Sequence, residues 1–406
     1  ACAQHIDDRL PYFAGHGITP LLLSGPIGQR PARPHHYRCP SIAPSGIRFE
    51  VRHFLRKRLH RRWQFKLAET LLLLPVFPLY LLEKILINLE SEWSWFYTAA
   101  VRGYLLCRRY RPEVIYSTGG TASAHVAAGV IRGLTGLPWL AETQDPLVHD
   151  RDWRRGRRVL AVYKWLEKYI CTHADAFIFL AGAARDNMAA RTGMPQCGTV
   201  IHPGASPGMF EGGGYEKGRH CHFAHFGTLD GTRNLVVLLQ ALRLLIDSGR
   251  VDPDLVRVDV YGSIDGGTRR TVRELDLAHL LTDHGQLPRR EALRAMQKTD
   301  CLILVQNTIF FSSETIPSKV YEYLLSGRPI LGLIHNNAEL YEMLAASGNF
   351  PVPATGVREV AEAIHAVVER FRSSSLAAWP AHTEITVAGA VDRLIGLGKA
   401  AAERRR

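Results

Sequence analysis

Short apolar runs bounded by turn residues alternate with longer amphipathic segments along almost the whole chain. The apolar runs have the length of strands, whereas the segments between them repeat apolar residues at helical spacing. This alternation is typical of βαβ units, in which helices join parallel strands. The sequence therefore predicts an α/β protein with parallel sheets.

The predicted strands fall into two groups. The segment between the groups, from Pro203 to Gly218, is rich in glycine and proline and is typical of a linker. A chain of 406 residues is also too long for one ordinary core. We therefore expect two doubly wound Rossmann-like domains, residues 1–205 and 206–384, and a final amphipathic helix in 385–406 that packs back toward the first domain. The strands are predicted to begin at Ile18, Gly46, Val114, Pro138, Ala176 and Thr199 in the first group, and at His222, Val256, Cys301, Pro329 and Phe350 in the second.

The chain opens with a predicted helix, a glycine turn and the strand at Ile18. A parallel sheet of this kind normally has a strand before that helix, and the sequence begins with Ala1 instead of methionine. We expect that a first strand and its glycine-rich loop precede Ala1 in the natural protein.

Positive charge is concentrated in the first half of the chain. Lys and Arg total 50 against 38 Asp and Glu, and basic clusters lie at Arg52–Lys66, Arg108–Arg111 and Arg151–Lys164. Clustered basic side chains indicate an anionic partner: anionic lipid, nucleic acid or a polyanionic substrate. Each single cluster is also compatible with a solvated helix face.

An apolar segment, Leu67–Ala100, follows the first basic cluster directly. Its uncharged run from Thr70 to Leu82 contains Pro75 and Pro78, and it is shorter than the ~20 residues of a transmembrane helix. A basic stretch leading into an apolar hairpin is typical of docking into one leaflet of an anionic membrane. We predict a membrane-docking insertion around residues 52–100; the alternative is an additional pair of core helices.

The cysteines indicate reduced thiols. There are seven, widely spaced and without a CxxC pair, which favours a cytosolic protein over a disulfide framework or a zinc site. His220, Cys221, His222 and His225 lie close in sequence, but alternation along a strand would point neighbours to opposite faces. No metal site is predicted, and the absence of a GxGxxG after a strand argues against a dehydrogenase.

The stretch SSETIPSKVYEYLLSGRPILGLI, from Ser312 to Ile334, carries the main candidate chemistry. It follows the predicted strand at Cys301, and it therefore lies at the carboxyl edge of a parallel sheet, where such sheets bind ligands. Pro317 is predicted to be the first residue of a helix that Gly327 ends. The free amides of Thr315, Ile316 and Ser318 would favour a phosphate group, and Lys319 adds positive charge.

Two carboxylates flank this lysine. Glu322, one turn into the helix, is suited to accept hydrogen bonds from vicinal ribose hydroxyls, and Glu314 in the loop can reach another part of the same ligand. The pattern favours a nucleotide-sugar as the ligand. The alternative is an exposed Lys319–Glu322 pair at i, i+3, worth only tenths of a kcal/mol.

The same stretch resembles the Glu, seven residues, Glu motif of retaining GT-B glycosyltransferases of glycosyltransferase family 4. Residues 225–242, VDVYGS, residues 281–305 and residues 111–146 are similar to other parts of that family. The resemblance implies a GT-B fold, in which two doubly wound Rossmann-like domains face each other across a cleft.

The resemblance also implies roles for single residues. Glu322 would bind the ribose and Glu314 the transferred sugar, while Arg233 and Lys319 would meet the diphosphate and Gly227 would allow close backbone approach. In the acceptor domain, Asp145 would lie over the sugar, with His125 as a second candidate. The implied donor-binding set also includes the base-binding loop residues His284, Gln286 and Leu287, together with Thr315, Ile316 and Pro317 of the motif.

The function implied by the resemblance is the transfer of a sugar, with retention of configuration, from a UDP-, GDP- or dTDP-linked donor to a glycan or lipid-linked glycan acceptor. No cofactor, metal or nucleic acid is expected to take part. The basic and apolar segments would place the protein peripherally on the cytoplasmic face of a membrane, as in polysaccharide or lipopolysaccharide biosynthesis. The alternatives are a catalytically silent GT-B scaffold subunit and a GT-B nucleotide-sugar epimerase or hydrolase.

Overall fold

The computed structural model describes residues 2–26, 33–59, 61–119, 121–148, 156–210, 214–377 and 379–405. The chain forms two compact units. Unit 1 comprises Ala1–Leu180, Ala184–Ile201 and Val391–Arg406, and unit 2 comprises Ala181–Ala183 and His202–Ala390. The basic cluster Arg151–Lys164 and the predicted linker Pro203–Gly218 lie partly outside the described residues.

Unit 1 contains a two-stranded parallel sheet, β1–β2, and a four-stranded parallel sheet in the order β3-β4-β5-β6. Its strands are β1 (Leu22–Ser24), β2 (His36–Arg38), β3 (Ile115–Gly119), β4 (Trp139–Thr143), β5 (Ala176–Phe179) and β6 (Gly198–Val200). The helices up to this point are α1 (Cys2–Gly15), α2 (Pro44–Arg58), α3 (Arg62–Leu73), α4 (Phe77–Leu86), α5 (Trp95–Tyr110), α6 (Ala122–Thr135), α7 (Arg157–His173) and α8 (Gly182–Thr192).

Unit 2 is built on a six-stranded parallel sheet in the order β12-β11-β10-β7-β8-β9. Apolar side chains cover both faces of this sheet and form two buried clusters. The strands are β7 (Cys221–Thr228), β8 (Val256–Ser263), β9 (Leu281–Asp283), β10 (Cys301–Val305), β11 (Ile330–Ile334) and β12 (Phe350–Pro353). The helices are α9 (Val236–Asp247), α10 (Gly266–Glu274), α11 (Arg289–Lys298), α12 (Lys319–Leu325), α13 (Ala338–Ala346), α14 (Val357–Arg372) and α15 (Val387–Glu403).

The predicted parallel sheets are confirmed. The C-terminal helix α15 begins in unit 2 and continues on unit 1, where Arg393 donates a hydrogen bond to the carbonyl of Val200 (2.6 Å) and Arg405 pairs with Asp175 (3.0 Å). The short strands β2 and β9 have no counterpart among the predicted strands.

The strand predicted at Gly46 is wrong, because these residues form part of α2. Pro44 occupies the first turn of this helix, where its missing N–H costs nothing. The next amide, that of Ser45, donates to the buried carboxylate of Glu83 (2.8 Å). A contact from a distant part of the chain therefore stabilises the start of a helix that a short apolar run could not reveal.

The predicted apolar hairpin is also wrong. Between α3 and α4 the residues Leu74–Val76 form one turn of 3-10 helix, and the backbone remains right-handed helical through both prolines. Within the described residues, Arg62–Leu86 is a helical run that is long and apolar enough to cross a membrane by length and composition alone.

A glycine pair holds β7 and β8 close together at their carboxyl ends. Gly227 and Gly262 are direct partners in the ladder, and both have φ values that only glycine adopts readily, +142° and +153°. A Cβ atom on Gly262 would lie 1.8 Å from the carbonyl oxygen of Gly227. The two strands can therefore approach each other only with glycine at residue 262.

The Gly262→Ala substitution should lower the free energy of unfolding by roughly 2–4 kcal/mol, because it adds backbone strain and steric overlap. Gly266→Ala is the matched control, since its Cβ would meet nothing within 4 Å. Urea unfolding of both variants measures the effect. Equal midpoints for the two variants would contradict the proposed packing of the strand pair.

Candidate functional site

The two central strands of unit 2 separate at their carboxyl ends. The chain runs from β7 through β8 to β9 on one side of the sheet and from β10 through β11 to β12 on the other, so β7 and β10 flank the topological switch point. Their residues pair only at Cys301–Phe223 and Leu302–Ala224. Open α/β sheets bind ligands at such a point.

Two side chains occupy the opening between the strands, which we call the fork. The Nδ1 atom of His225 lies 3.0 Å from the carbonyl oxygen of Ile303, and the hydroxyl of Tyr323 accepts a hydrogen bond from the amide of Phe226 (3.0 Å). These bonds satisfy backbone groups where the ladder pairing of β7 and β10 ends. The fork is therefore a stable feature with its own polar partners.

The hydrogen bond to Ile303 determines the tautomer of His225. A carbonyl oxygen can only accept, so Nδ1 carries the proton and Nε2 presents a lone pair. Burial lowers the pKa of His225 to about 4, and the positive charges of Arg233 and Lys319 contribute to the lowering. The imidazole is therefore neutral at pH 7. Its Nε2 atom is buried and has no hydrogen-bond partner among the described residues.

Arg233 and Lys319 bring positive charge to the same place. A Cβ atom on Gly227 would lie 3.6 Å from Nε2 of His225 and 3.8 Å from Cε of Lys319, so the histidine and the lysine both border this glycine. Arg233 lies in the turn after β7, where its backbone pairs with Asp230. Burial lowers the pKa of its guanidinium, which still remains charged, and its Nε is buried without a partner in the part of the chain that is described.

The loop after β10 carries Glu314, which is buried. Two buried amide side chains fix this loop: Gln306 and Asn337 each donate to the carbonyls of Ser312 and Thr315, over 2.6 to 3.0 Å. Gln306 also accepts from the amide of His335 (3.0 Å). Neither amide was among the predicted site residues, although Gln306 directly follows β10 and Asn337 lies three residues after β11.

The start of the motif helix differs from the prediction. Helix α12 begins at Lys319, with Ser318 as its N-terminal cap, and Pro317 lies in the preceding loop together with Ile316. The amide of Thr315 donates to the carbonyl of Ser312 (3.4 Å) and is therefore not free for a phosphate. Since α12 has only seven residues, the positive charge of the site comes mainly from side chains.

Glu322 is the polar side chain of α12 next to this cluster. It forms an ion pair with Arg289 (2.9 Å) and lies 3.5 Å from the ammonium group of Lys319. The alternative interpretation, a Lys319–Glu322 pair on a helix surface, is thus present as a contact. However, Glu322 is mostly buried, and its ion pair with Arg289, the first residue of α11, is shorter than its ion pair with Lys319.

His284 begins the loop after β9, at the same edge of the sheet. Its ring stacks on Tyr261 (4.3 Å), which stacks on Phe226 (4.5 Å), and its Nε2 lies 2.7 Å from Asp259. Gln286 is exposed and Leu287 is partly exposed in this loop. Burial would raise the pKa of Asp259, but hydrogen bonds from His222 and His284 lower it overall.

Unit 1 places its predicted residues differently. Asp145 lies exposed in the bend after β4, whereas His125 is fully buried, with Nδ1 2.9 Å from the hydroxyl of Ser117. Burial lowers the pKa of His125 to about 4, which is consistent with a structural role. Glu142, which was not among the predicted site residues, is a buried carboxylate that accepts hydrogen bonds from Arg9 through both oxygens (2.8 and 2.9 Å).

A cavity of about 230 Å³ lies within unit 1 at the ends of β1 and β3. Glu50, Glu92 and Trp95 line it, together with hydroxyl side chains that include Thr118 and Ser123. Burial raises the pKa of both glutamates, so each is more easily protonated than in water. The cavity thus combines an aromatic ring with several hydrogen-bonding groups, a composition that suits a polyhydroxylated ligand.

In the helical run Arg62–Leu86, two carboxylates lie on the side that faces the protein and most large apolar side chains lie on the exposed side. The less exposed positions recur every three or four residues and include Glu69, Tyr80 and Glu83. Glu69 pairs with Arg52 (3.1 Å), and buried Glu83 accepts hydrogen bonds from Ser45 and Trp93. The opposite, exposed face is apolar; we call it the apolar surface, and it consists of Trp63, Leu67, Leu71, Leu72, Leu74, Phe77, Leu79, Leu81, Leu82, Ile85 and Leu86.

Among the described residues, no group of three or more His, Cys, Asp and Glu side chains is placed to hold a metal ion. The six cysteines whose side chains are described, Cys39, Cys107, Cys171, Cys197, Cys221 and Cys301, are free thiols.

Residues 32–204, less than half of the chain, match a family described as the glycosyl transferase 4-like domain. No curated protein gives a significant match to the sequence. Among solved structures, sucrose-phosphate synthase from Thermosynechococcus elongatus is 13% identical, with a TM-score of 0.57 and coverage of 99% of this chain and 90% of that chain.

Two further structures are similar. HepE of Anabaena in complex with UDP-glucose is 14% identical, with a TM-score of 0.54 and coverage of 94% and 98% of the two chains. A candidate UDP-N-acetylglucosamine 2-epimerase from Listeria monocytogenes is 12% identical, with a TM-score of 0.50 and coverage of 77% and 80%. Identities this low show the fold alone, and they confirm the predicted GT-B class of α/β fold.

The state of His225 predicts how stability depends on pH. Its pKa is lower in the folded than in the unfolded chain, so the unfolded chain binds more protons between about pH 4 and 6.5. Stability should therefore fall as the pH is lowered through this range, and His225→Asn should reduce that slope by about 1 kcal/mol per pH unit.

Urea unfolding at several pH values measures this slope. His279→Asn is the control, because His279 is exposed. His222 acts in the opposite direction: its bond to Asp259 raises its pKa, so its contribution to stability is lost as the pH rises through that raised value. An unchanged slope in His225→Asn would show that the pKa of His225 is the same in the folded and the unfolded chain.

Proposed function

We propose that the protein is a glycosyltransferase that binds a nucleotide-sugar at the fork of unit 2 and transfers the sugar, with retention of configuration, to a lipid-linked or polysaccharide acceptor. The single observation that supports this most is the cluster at the switch point. There Lys319 borders Gly227, the charges of Arg233 and Lys319 both act on His225, and Glu314 and Glu322 lie in the adjoining loop and helix.

The charges of this cluster suit a nucleotide diphosphate as a leaving group. Arg233 is held partly buried, where a charge interacts more strongly with a ligand than it does in water. Fixed cations next to a departing diphosphate stabilise the negative charge that develops on it. We therefore propose that Arg233 and Lys319 perform this role without a metal ion. The UDP-glucose in the HepE complex supports a nucleotide-sugar as the ligand class.

The roles that we propose for Glu322 and Glu314 follow from their positions on α12 and in the loop before it. Glu322 is mostly buried and paired with Arg289, which holds the carboxylate in place, and we propose that it accepts hydrogen bonds from a pair of ribose hydroxyls. Glu314 lies in the loop that Gln306 and Asn337 fix, so its position is preorganised for the transferred sugar. We place the base against the loop that contains His284, Gln286 and Leu287.

For unit 1 we propose acceptor binding. The cavity lined by Glu50, Glu92 and Trp95 offers hydrogen bonds and an aromatic face to a sugar headgroup. It belongs to the same unit as the apolar surface, and Glu50 lies on α2, the helix against which that surface is held. Asp145 remains a candidate for the residue over the donor sugar.

We propose that the apolar surface lies in the interface of an anionic membrane on the cytoplasmic side. Its helix does not need to span the bilayer, because one face is fixed to the protein: Glu83 is bonded to Ser45 and Trp93, and Arg158 donates to the carbonyls of Ile85 and Leu86. The exposed basic side chains at its start, including Arg61, Arg62 and Lys66, can meet lipid headgroups.

The donor site is tested by Arg233→Ala, which should weaken binding of a nucleoside diphosphate by roughly 10- to 100-fold, as expected for the loss of a charged hydrogen bond. Calorimetry with UDP, GDP and dTDP measures the affinity. Arg243→Ala is the control, because Arg243 lies on α9 of the same unit and pairs with Asp247. Failure of the unchanged protein to bind any of the three would favour a silent scaffold.

Membrane docking is tested by flotation with vesicles of phosphatidylcholine and phosphatidylglycerol. Leu71→Glu places a charge on the apolar surface, at a side chain that is 62% exposed, and should abolish flotation without affecting the fold. Leu244→Glu, at a 44% exposed residue of unit 2, should float like the unchanged protein. Equal flotation of both variants would argue against docking through this surface.

Epimerisation of a nucleotide-sugar is the second candidate activity, because the fold is similar to that of the candidate epimerase and both reactions begin with a bound nucleotide-sugar. Incubation with the donor alone separates the two. Conversion of the donor to an epimer would support the epimerase, whereas turnover that requires a glycan or lipid-linked acceptor would support the transferase.

A further inference from the structure

The fork combines two cations with one neutral acceptor. Arg233 and Lys319 supply positive charge, and the Nε2 atom of His225 presents a lone pair beside them. Within the described residues this Nε2 is buried and unpartnered, in a side chain that is only 5% exposed. A buried acceptor without a partner destabilises the folded protein, so a ligand that supplies a donor would relieve this cost.

We propose that His225 recognises the sugar part of the donor, with Nε2 accepting a hydrogen bond from a hydroxyl group of the sugar that is transferred. This inference rests on the proposed nucleotide-sugar ligand and goes beyond it, because it assigns His225 a role in ligand binding.

The chemistry of the ligand favours the sugar over the diphosphate. Ionised diphosphate oxygens carry only lone pairs, so they cannot donate to Nε2. An imidazolium could bind them, but burial and the two neighbouring cations oppose protonation of His225. A sugar hydroxyl can donate to Nε2, and the transferred sugar is bonded directly to the diphosphate that Arg233 and Lys319 would hold.

The geometry supports the same assignment. The bond from Nδ1 to the carbonyl of Ile303 fixes the ring, and the neighbouring Phe226 amide is satisfied by Tyr323. Nε2 therefore lies on the far side of the ring from Ile303, next to Gly227 and Lys319. A fixed acceptor of this kind can discriminate strongly, because a ligand without the matching hydroxyl leaves it unpaired.

Three substitutions separate the acceptor from the bond to Ile303. His225→Asn keeps a donor near the position of Nδ1 and loses the acceptor at Nε2. His225→Gln places an amide oxygen near Nε2, and His225→Met fills a similar volume without a strong acceptor. The contrast between Gln and Met remains informative if the Asn variant does not fold, because both of these variants are unbranched and alike in length.

Calorimetry compares each nucleoside diphosphate with its sugar conjugate: UDP with UDP-glucose, GDP with GDP-mannose and dTDP with dTDP-glucose. We expect His225→Asn and His225→Met to weaken sugar-nucleotide binding by about tenfold, as for the loss of one hydrogen bond, and to change diphosphate binding less than twofold. His225→Gln should retain most of the sugar-nucleotide affinity.

Equal losses for both ligands in the Asn and Met variants, or no loss for either, would overturn the role of His225 in sugar recognition and leave the proposed function intact. If the unchanged protein binds neither diphosphates nor their conjugates, the proposed function itself fails, and the inference fails with it.

Discussion

The separation of two central strands governs the chemistry that this protein can perform. Strands β7 and β10 pair at only two positions before they diverge, and the backbone groups beyond those positions need other partners. His225 and Tyr323 provide them. Because the fork is stabilised by side chains, it can hold polar groups in a fixed, partly desolvated arrangement, where electrostatic interactions with a ligand are strong.

The loops around the fork are also fixed by side chains that bond to backbone groups. Gln306 and Asn337 bond to the carbonyls of the Glu314 loop. The amide of Thr308 donates to the hydroxyl of Thr232 (3.2 Å), and this bond connects the loop after β10 to the turn after β7.

In unit 1, polar contacts hold a helical run against the protein. Glu83 and Glu69 fix the inner side of the helical run, so the apolar side chains remain outside. The paired carboxylates hold the inner side of the helical run against the protein, and the apolar side chains form its exposed side.

The sequence predicted more of the fold than of the site. The alternation of apolar runs located most strands, because a buried parallel strand must be almost wholly apolar. It failed at Gly46, where the contact between Ser45 and Glu83 stabilises a helix, and at the two prolines, which a 3-10 turn accommodates. The motif residues Lys319 and Glu322 could be placed at the sheet edge. The contacts of Asn337 and Glu142 could not be predicted, because their partners are distant in sequence.

The sequence by itself determined the α/β class with parallel sheets and the concentration of Glu314, Lys319 and Glu322 in one stretch, since both follow from local patterns along the chain. The tertiary structure decided which residues join them. A strand pattern says only that His225 points to one face of a sheet. The divergence of β7 from β10 shows that its ring lies between Ile303 and Gly227, close to two cations. Likewise, only packing against α2 shows that Glu69 and Glu83 of the helical run face inward, because polarity along a helix does not reveal which side meets the protein.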